Sequence, residues 1–109
     1  MISIPKLLAQ SLPAATTLTV FYTVPAGSRS HAHKLFVCNA AAAATTFRVS
    51  VAPLGEVDAA KHYLYYDTAL AANETKLLEL DLRLSPTDLI RIFTAGANVS
   101  FNLFGTEAI

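Results

Sequence analysis

Leu77-Leu78-Glu79-Leu80-Asp81-Leu82-Arg83-Leu84 is the stretch that decides the fold. Leu78, Leu80, Leu82 and Leu84 fall on one side at a period of two, and Glu79, Asp81 and Arg83 fall on the other. A helix would need apolar positions three and four apart, whereas strict alternation predicts a half-buried strand. The neighbouring segments repeat the pattern. Upstream, Thr45–Val51 puts Phe47, Val49 and Val51 in and Thr46, Arg48 and Ser50 out. Downstream, Ser85-Pro86-Thr87-Asp88 predicts a turn, residues 89–94 a strand with Ile90 and Ile92 inward, residues 95–98 a turn, and residues 99–104 a last strand.

Further strands are expected at Thr17–Val24, with Leu18, Val20, Tyr22 and Val24 on one face, and at His31–Asn39, with Leu35 and Val37 opposite Phe36 and Cys38. Apolar residues on both sides of the latter predict a strand covered on both faces. The aromatic run Lys61–Asp67 is strongly strand-prone and places Tyr63 and Tyr65 on one face with Tyr66 on the other. Residues 40–44, all alanine, are too few to sustain a helix and predict a loop or a single turn. Residues 1–15, with Pro5 and Pro13, are expected as an N-terminal arm, and residues 16–109 as one domain. The expected fold is all-β: a single antiparallel sandwich, jelly-roll-like, of about seven to eight strands.

Composition bears on function. The chain is 109 residues long, 53% hydrophobic and only 15% charged, against roughly 25% charged in typical domains. A domain this small exposes much of its surface, and few charges are available to cover it, so part of that surface must be apolar or neutral. Such surface usually marks contact with another protein. Eight basic and eight acidic residues cancel, and the absence of a basic tract argues against nucleic acid. No apolar run has the length of a membrane span, and the N-terminus does not read as a signal peptide. Cys38 is the single cysteine, so no intrachain disulfide forms; its place in an apolar run predicts a packed thiol rather than a nucleophile.

Three motifs invite chemistry. His31 and His33 lie two apart on a strand, where both imidazoles project to the same side, and His62 is a candidate third metal ligand. The pattern approaches the His-x-His of cupin-type enzymes, with Gly27 ahead of it, but lacks the acidic ligand that should follow; two solvent-facing histidines at a strand end are the favoured reading, and no cofactor is expected. Glu79 and Asp81 share a strand face as a hydrolytic pair would, yet sit opposite the leucine stripe, where solvated charges belong. Tyr63, Tyr65 and Tyr66 suit core packing, a protein interface or a sugar platform. The chain is therefore expected to be a non-enzyme.

Several segments in order resemble a family of small virion structural proteins of tailed bacteriophages: Tyr22-Thr23-Val24-Pro25-Ala26-Gly27, Phe36-Val37-Cys38-Asn39, residues 44–49, Lys61-His62-Tyr63-Leu64-Tyr65-Tyr66-Asp67, and residues 89–105. The resemblance spans residues 7–107, with Lys61–Asp67 its most specific element; the residues after Gly27 depart from it. It implies a virion component assembled in the bacterial cytoplasm, as an accessory subunit of the tail (baseplate or fibre) or a decoration protein of the capsid. Its expected partners are further copies, as a homotrimer, and other virion proteins, namely major capsid or tail and baseplate proteins. A host-surface glycan is a further candidate partner. Leu7, Leu8, Tyr63, Tyr65, Ala108 and Ile109 are the expected interface residues, and removal of residues 1–12 is expected to weaken assembly more than folding.

Overall fold

The computed structural model describes residues 2–109. Among the described residues eight strands run in chain order: β1 Ser3–Ser11, β2 Thr19–Thr23, β3 Arg29–Asn39, β4 Thr45–Ala52, β5 Tyr63–Leu70, β6 Thr75–Leu84, β7 Leu89–Thr94 and β8 Val99–Ala108. They form two four-stranded sheets, ordered β1-β8-β3-β6 and β2-β7-β4-β5, with every pairing antiparallel. Only β4 and β5 are consecutive strands within one sheet; every other connection crosses to the opposite layer. This is the double-Greek-key wind of a jelly roll. The Cα trace measures 45 × 28 × 19 Å, a thickness that fits two facing sheets about 10 Å apart.

The core lies between the sheets. Leu35, Val37, Leu78, Phe101 and Leu103 descend from one layer and Phe47, Val49, Ile90 and Ile92 from the other, all buried. Phe47 and Phe101 meet across the gap edge-to-face, with ring centroids 6.3 Å apart. Alternation in β6, in β7 and at Phe47 and Val49 of β4 thus translates into burial as expected. Buried Asn39 shapes the alanine-rich loop: its side-chain amide donates to the carbonyls of Ala43 and Ala71 and its oxygen accepts from the Ala41 amide. Three bonds from one side chain replace the ladder that the loop backbone lacks, and no helix forms there.

Four expectations are corrected. The stretch 1–15, read as an arm before the domain, supplies β1, which pairs with β8 from Ser3↔Ala108 to Ser11↔Phe101. Pro5 hid it from the sequence, but an edge strand tolerates a missing N–H. In β2 a bulge between Val20 and Tyr22 breaks the expected single face, so Phe21 packs on the core and Val20 is exposed. β3 is covered on one face: Leu35 and Val37 are buried, whereas Phe36 and Cys38 lie half-buried on the outside of the sheet. Ser50, expected outward, is fully buried, because the segment from 53 to 62 folds over it.

The place of β1 changes the outcome expected of truncation. Leu8 and Ala9 pack against the core, so removing residues 1–12 strips a whole ladder and two core contacts. The truncated chain should melt roughly 10 °C or more below the full one, measured by circular dichroism, rather than lose assembly alone.

Candidate functional site

The outer face of β1-β8-β3-β6 carries an apolar band that crosses all four strands. Leu7 stands opposite Phe104, and Phe36 stands opposite Leu77. Phe36 and Phe104 bridge the two pairs edge-on, 5.8 Å between ring centroids. Leu7, Phe104 and Leu77 remain 39%, 42% and 44% exposed, so the described residues leave them partly uncovered. Polar groups border the band: the Gln10 amide donates to Asn102 Oδ1 on one side, and His31, Asp81 and Arg83 lie on the other.

His31 and His33 stack on this face with ring centroids 3.9 Å apart. His31 Nε2 donates to Asp81 Oδ1, and that bond, with Arg83 adding charge attraction, holds the Asp81 carboxyl below its ordinary range. His62 lies away from His31 and His33, in a short 3-10 turn, Ala60–His62, that leads into β5 of the other sheet. Its Nδ1 accepts from the Ala59 amide and its Nε2 lies 3.1 Å from Glu56, so both ring nitrogens are engaged. The three histidines are therefore not brought together, and among the described residues no group of three His, Cys, Asp or Glu side chains is placed to hold a metal ion. Cys38 flanks the apolar band at mid-exposure and is not a core thiol as expected. Glu79 and Asp81 are both exposed.

The outer face of β2-β7-β4-β5 is different in kind. Arg48 on β4 lies between two aromatic rings, with its guanidinium carbon 4.2 Å from the Tyr66 centroid and 4.5 Å from that of Phe93. Asp67 grips the same guanidinium twice, accepting from Nε at 2.6 Å and from Nη2 at 3.3 Å. A register shift in β5, with Asp67 at a φ of 46°, brings this about; bulges commonly re-aim side chains in this way, and Asp tolerates the left-handed region better than most residues. Tyr63 packs edge-on against Tyr66, 5.0 Å between centroids. Beside them Asp58 accepts from Tyr63 at 2.5 Å and from buried Ser50 at 3.0 Å. Arg91 Nη1 lies 3.8 Å from Asp58, while Arg91 Nη2 donates to the Glu56 carbonyl. Arg48, Asp58, Ala59, Ala60, Tyr63 and Tyr66 line a cleft of about 590 Å³.

A second register shift, where Ser50 pairs with Tyr63 but its neighbour Val49 with Tyr65, corrects the expected tyrosine arrangement. Tyr63 and Tyr66, not Tyr63 and Tyr65, share the outer surface, and Tyr65 turns to the core against Phe47, 6.1 Å between centroids. Of the other expected interface residues, Leu7 and Ile109 are exposed, Leu8 is taken up by the core, and Ala108 is half-buried at the end of β8. Sequence reasoning missed Asp58 in an uninformative loop. It treated Arg48 as one more outward residue, although its alternating strand position already placed it on the face that Tyr66 reaches.

One carboxyl and one hydroxyl group report this geometry. The Arg48 hydrogen bonds lower the Asp67 pKa, and they outweigh the opposing desolvation. Desolvation, then the bond to Asp58, raises that of Tyr63. Because the folded-state Asp67 pKa is depressed, its contribution is present above the unfolded aspartate pKa and is lost as pH falls through the lower folded value. Carboxyl-carbon NMR should place the Asp67 midpoint below the ordinary 3.8, and Arg48→Met should return it to that range.

The fold and its two faces define the class: a jelly-roll sandwich with an apolar band outside one sheet and a charge-balanced aromatic cleft outside the other. No family model, curated protein or solved structure matches the chain.

Proposed function

We propose that the protein is a non-enzymatic structural subunit of a tailed-phage virion, mounted on its neighbours through the outer face of β1-β8-β3-β6. It serves as an accessory subunit of the tail, in baseplate or fibre, or of the capsid surface, and it associates as a homotrimer. The observation that carries this reading is the band of Leu7, Phe104, Phe36 and Leu77 across the open face of a sheet. An aligned apolar row on a low-charge domain is costly to leave in water, at about 25 cal/mol for each Å² that remains uncovered, and a contacting subunit removes that cost. Jelly rolls also recur in capsid and lectin domains, which adds an argument by analogy of fold. The sequence resemblance points the same way.

Gold-labelled electron microscopy of purified phage particles, with antibody raised to the recombinant domain, tests the reading. Label on tail tips, fibres or heads supports it and chooses between tail and capsid. Intact and disrupted particles that both stay unlabelled contradict it.

A further inference from the structure

The second face points to a ligand. The Arg48–Tyr63–Tyr66 cleft has three properties that together are selective. It is charge-balanced: Arg48 is matched by Asp67 at hydrogen-bond distance and Asp58 by Arg91 at 3.8 Å, so neither an anion nor a cation meets a net opposite charge there. It offers both hydrogen-bond senses. Asp67 uses Nε and one Nη2 hydrogen of Arg48, leaving other N–H donors on the fork, and Asp58 keeps lone pairs beyond those used by Tyr63 and Ser50. It also carries an apolar platform, the part of Tyr66 left open: the residue is 59% exposed, with Arg48 over one face of its ring and Tyr63 in edge contact.

A neutral ligand with neighbouring hydroxyls and one apolar face matches all three, and that description is a pyranose sugar. Its C–H face stacks on an aromatic ring as bases do, while adjacent hydroxyls take one donor and one acceptor. The cleft volume of about 590 Å³ lies within the usual range for small-ligand sites. The side chains are held before any ligand arrives, by the Asp67 fork, the Phe93 stack and the Asp58 bonds, which lowers the ordering cost of binding.

We infer that this cleft binds a neutral glycan, with Tyr66 as the stacking platform, Arg48 as donor and Asp58 as acceptor. The inference is independent of the virion assignment: it concerns the opposite sheet and is tested on the isolated protein, so either can fail without the other. The test is an NMR titration of the full chain with lactose, maltose and mannobiose in turn, with inorganic phosphate as the charged control. At least one disaccharide should shift resonances of Arg48 Nε, Asp58, Ala60, Tyr63 and Tyr66 and leave the outer face of the other sheet unmoved. Tyr66→Ala should weaken that binding roughly tenfold or more, the scale of one lost stacking contact. Ala60→Trp, an exposed rim substitution that fills the cleft and touches none of the network, should abolish it even if Tyr66→Ala disturbs the strand. No perturbation by any disaccharide, shifts elsewhere on the protein, equal binding by Ala60→Trp, or phosphate binding in the cleft in preference to sugars would overturn the inference.

Discussion

Gly105→Ala is expected to leave the chain largely unfolded at room temperature, the largest effect of a methyl added at any of its four glycines. Gly105 lies on β8 in the middle of its sheet, paired with Lys6 of β1 on one side and Ala32 of β3 on the other. A β-carbon there would drive into the His31 backbone carbonyl, and would also sit 2.9 Å from Leu8 Cδ1 and 3.1 Å from Ala32 Cα. Leu8 has side-chain freedom to yield, but the carbonyl belongs to a strand bonded on both sides and does not. The register slip of β3 between Ala32 and Lys34 falls opposite this glycine, so the close approach is part of how the sheet accommodates its bulge. Overpacking of this kind against backbone belongs to the tail of mutational effects above about 4 kcal/mol, a large fraction of the 5–15 kcal/mol typical of a domain. Loss of the cooperative thermal transition in Gly105→Ala is the expected readout.

Phe104→Asp should do the reverse: preserve the fold and abolish assembly. Phe104 is substantially exposed in the single chain, so the isolated domain loses little beyond its contact with Phe36 and its pairing opposite Leu7. In an assembly that seats the apolar band on a neighbour, the new carboxylate is buried without a partner. Breaking such a contact costs about 3 kcal/mol or more, equivalent to roughly a 100-fold or greater loss of association. Sedimentation of the variant should therefore show monomer at concentrations where the unmodified chain is oligomeric, with an unfolding midpoint close to the original. Leu77→Asp, at the other end of the band, should behave in the same way.

The strands were largely legible in the sequence because burial on one face of a sheet writes a period of two into the chain. The Leu78–Leu84 and Phe47–Val49 alternations translate directly into core positions. What was not legible traces to single residues that break that period. The β2 bulge exchanges Val20 for Phe21, and a β5 slip between Tyr63 and Tyr65 commits Tyr65 to the core and leaves Tyr66 on the outer surface with Tyr63. A one-residue slip reverses every later side chain, and nothing in Tyr63-Leu64-Tyr65 announces it. β1 was missed because Pro5 sits in an edge strand, where the usual veto on proline does not hold. The cleft was half legible: its tyrosines stood out, but Asp58 enters through a loop whose path only the tertiary structure specifies. The apolar band was invisible as a band, since Leu7, Phe36, Leu77 and Phe104 are distant in sequence and meet only through the jelly-roll order.

The most direct test of the central claim is hydroxyl-radical footprinting of the protein in its assembled particle against the dissociated chain. If the β1-β8-β3-β6 face is the mounting surface, oxidation of Phe36, Leu77 and Phe104 falls several-fold on assembly while Tyr66, on the opposite sheet, keeps its reactivity. Equal oxidation of the three apolar residues in both states would contradict the account.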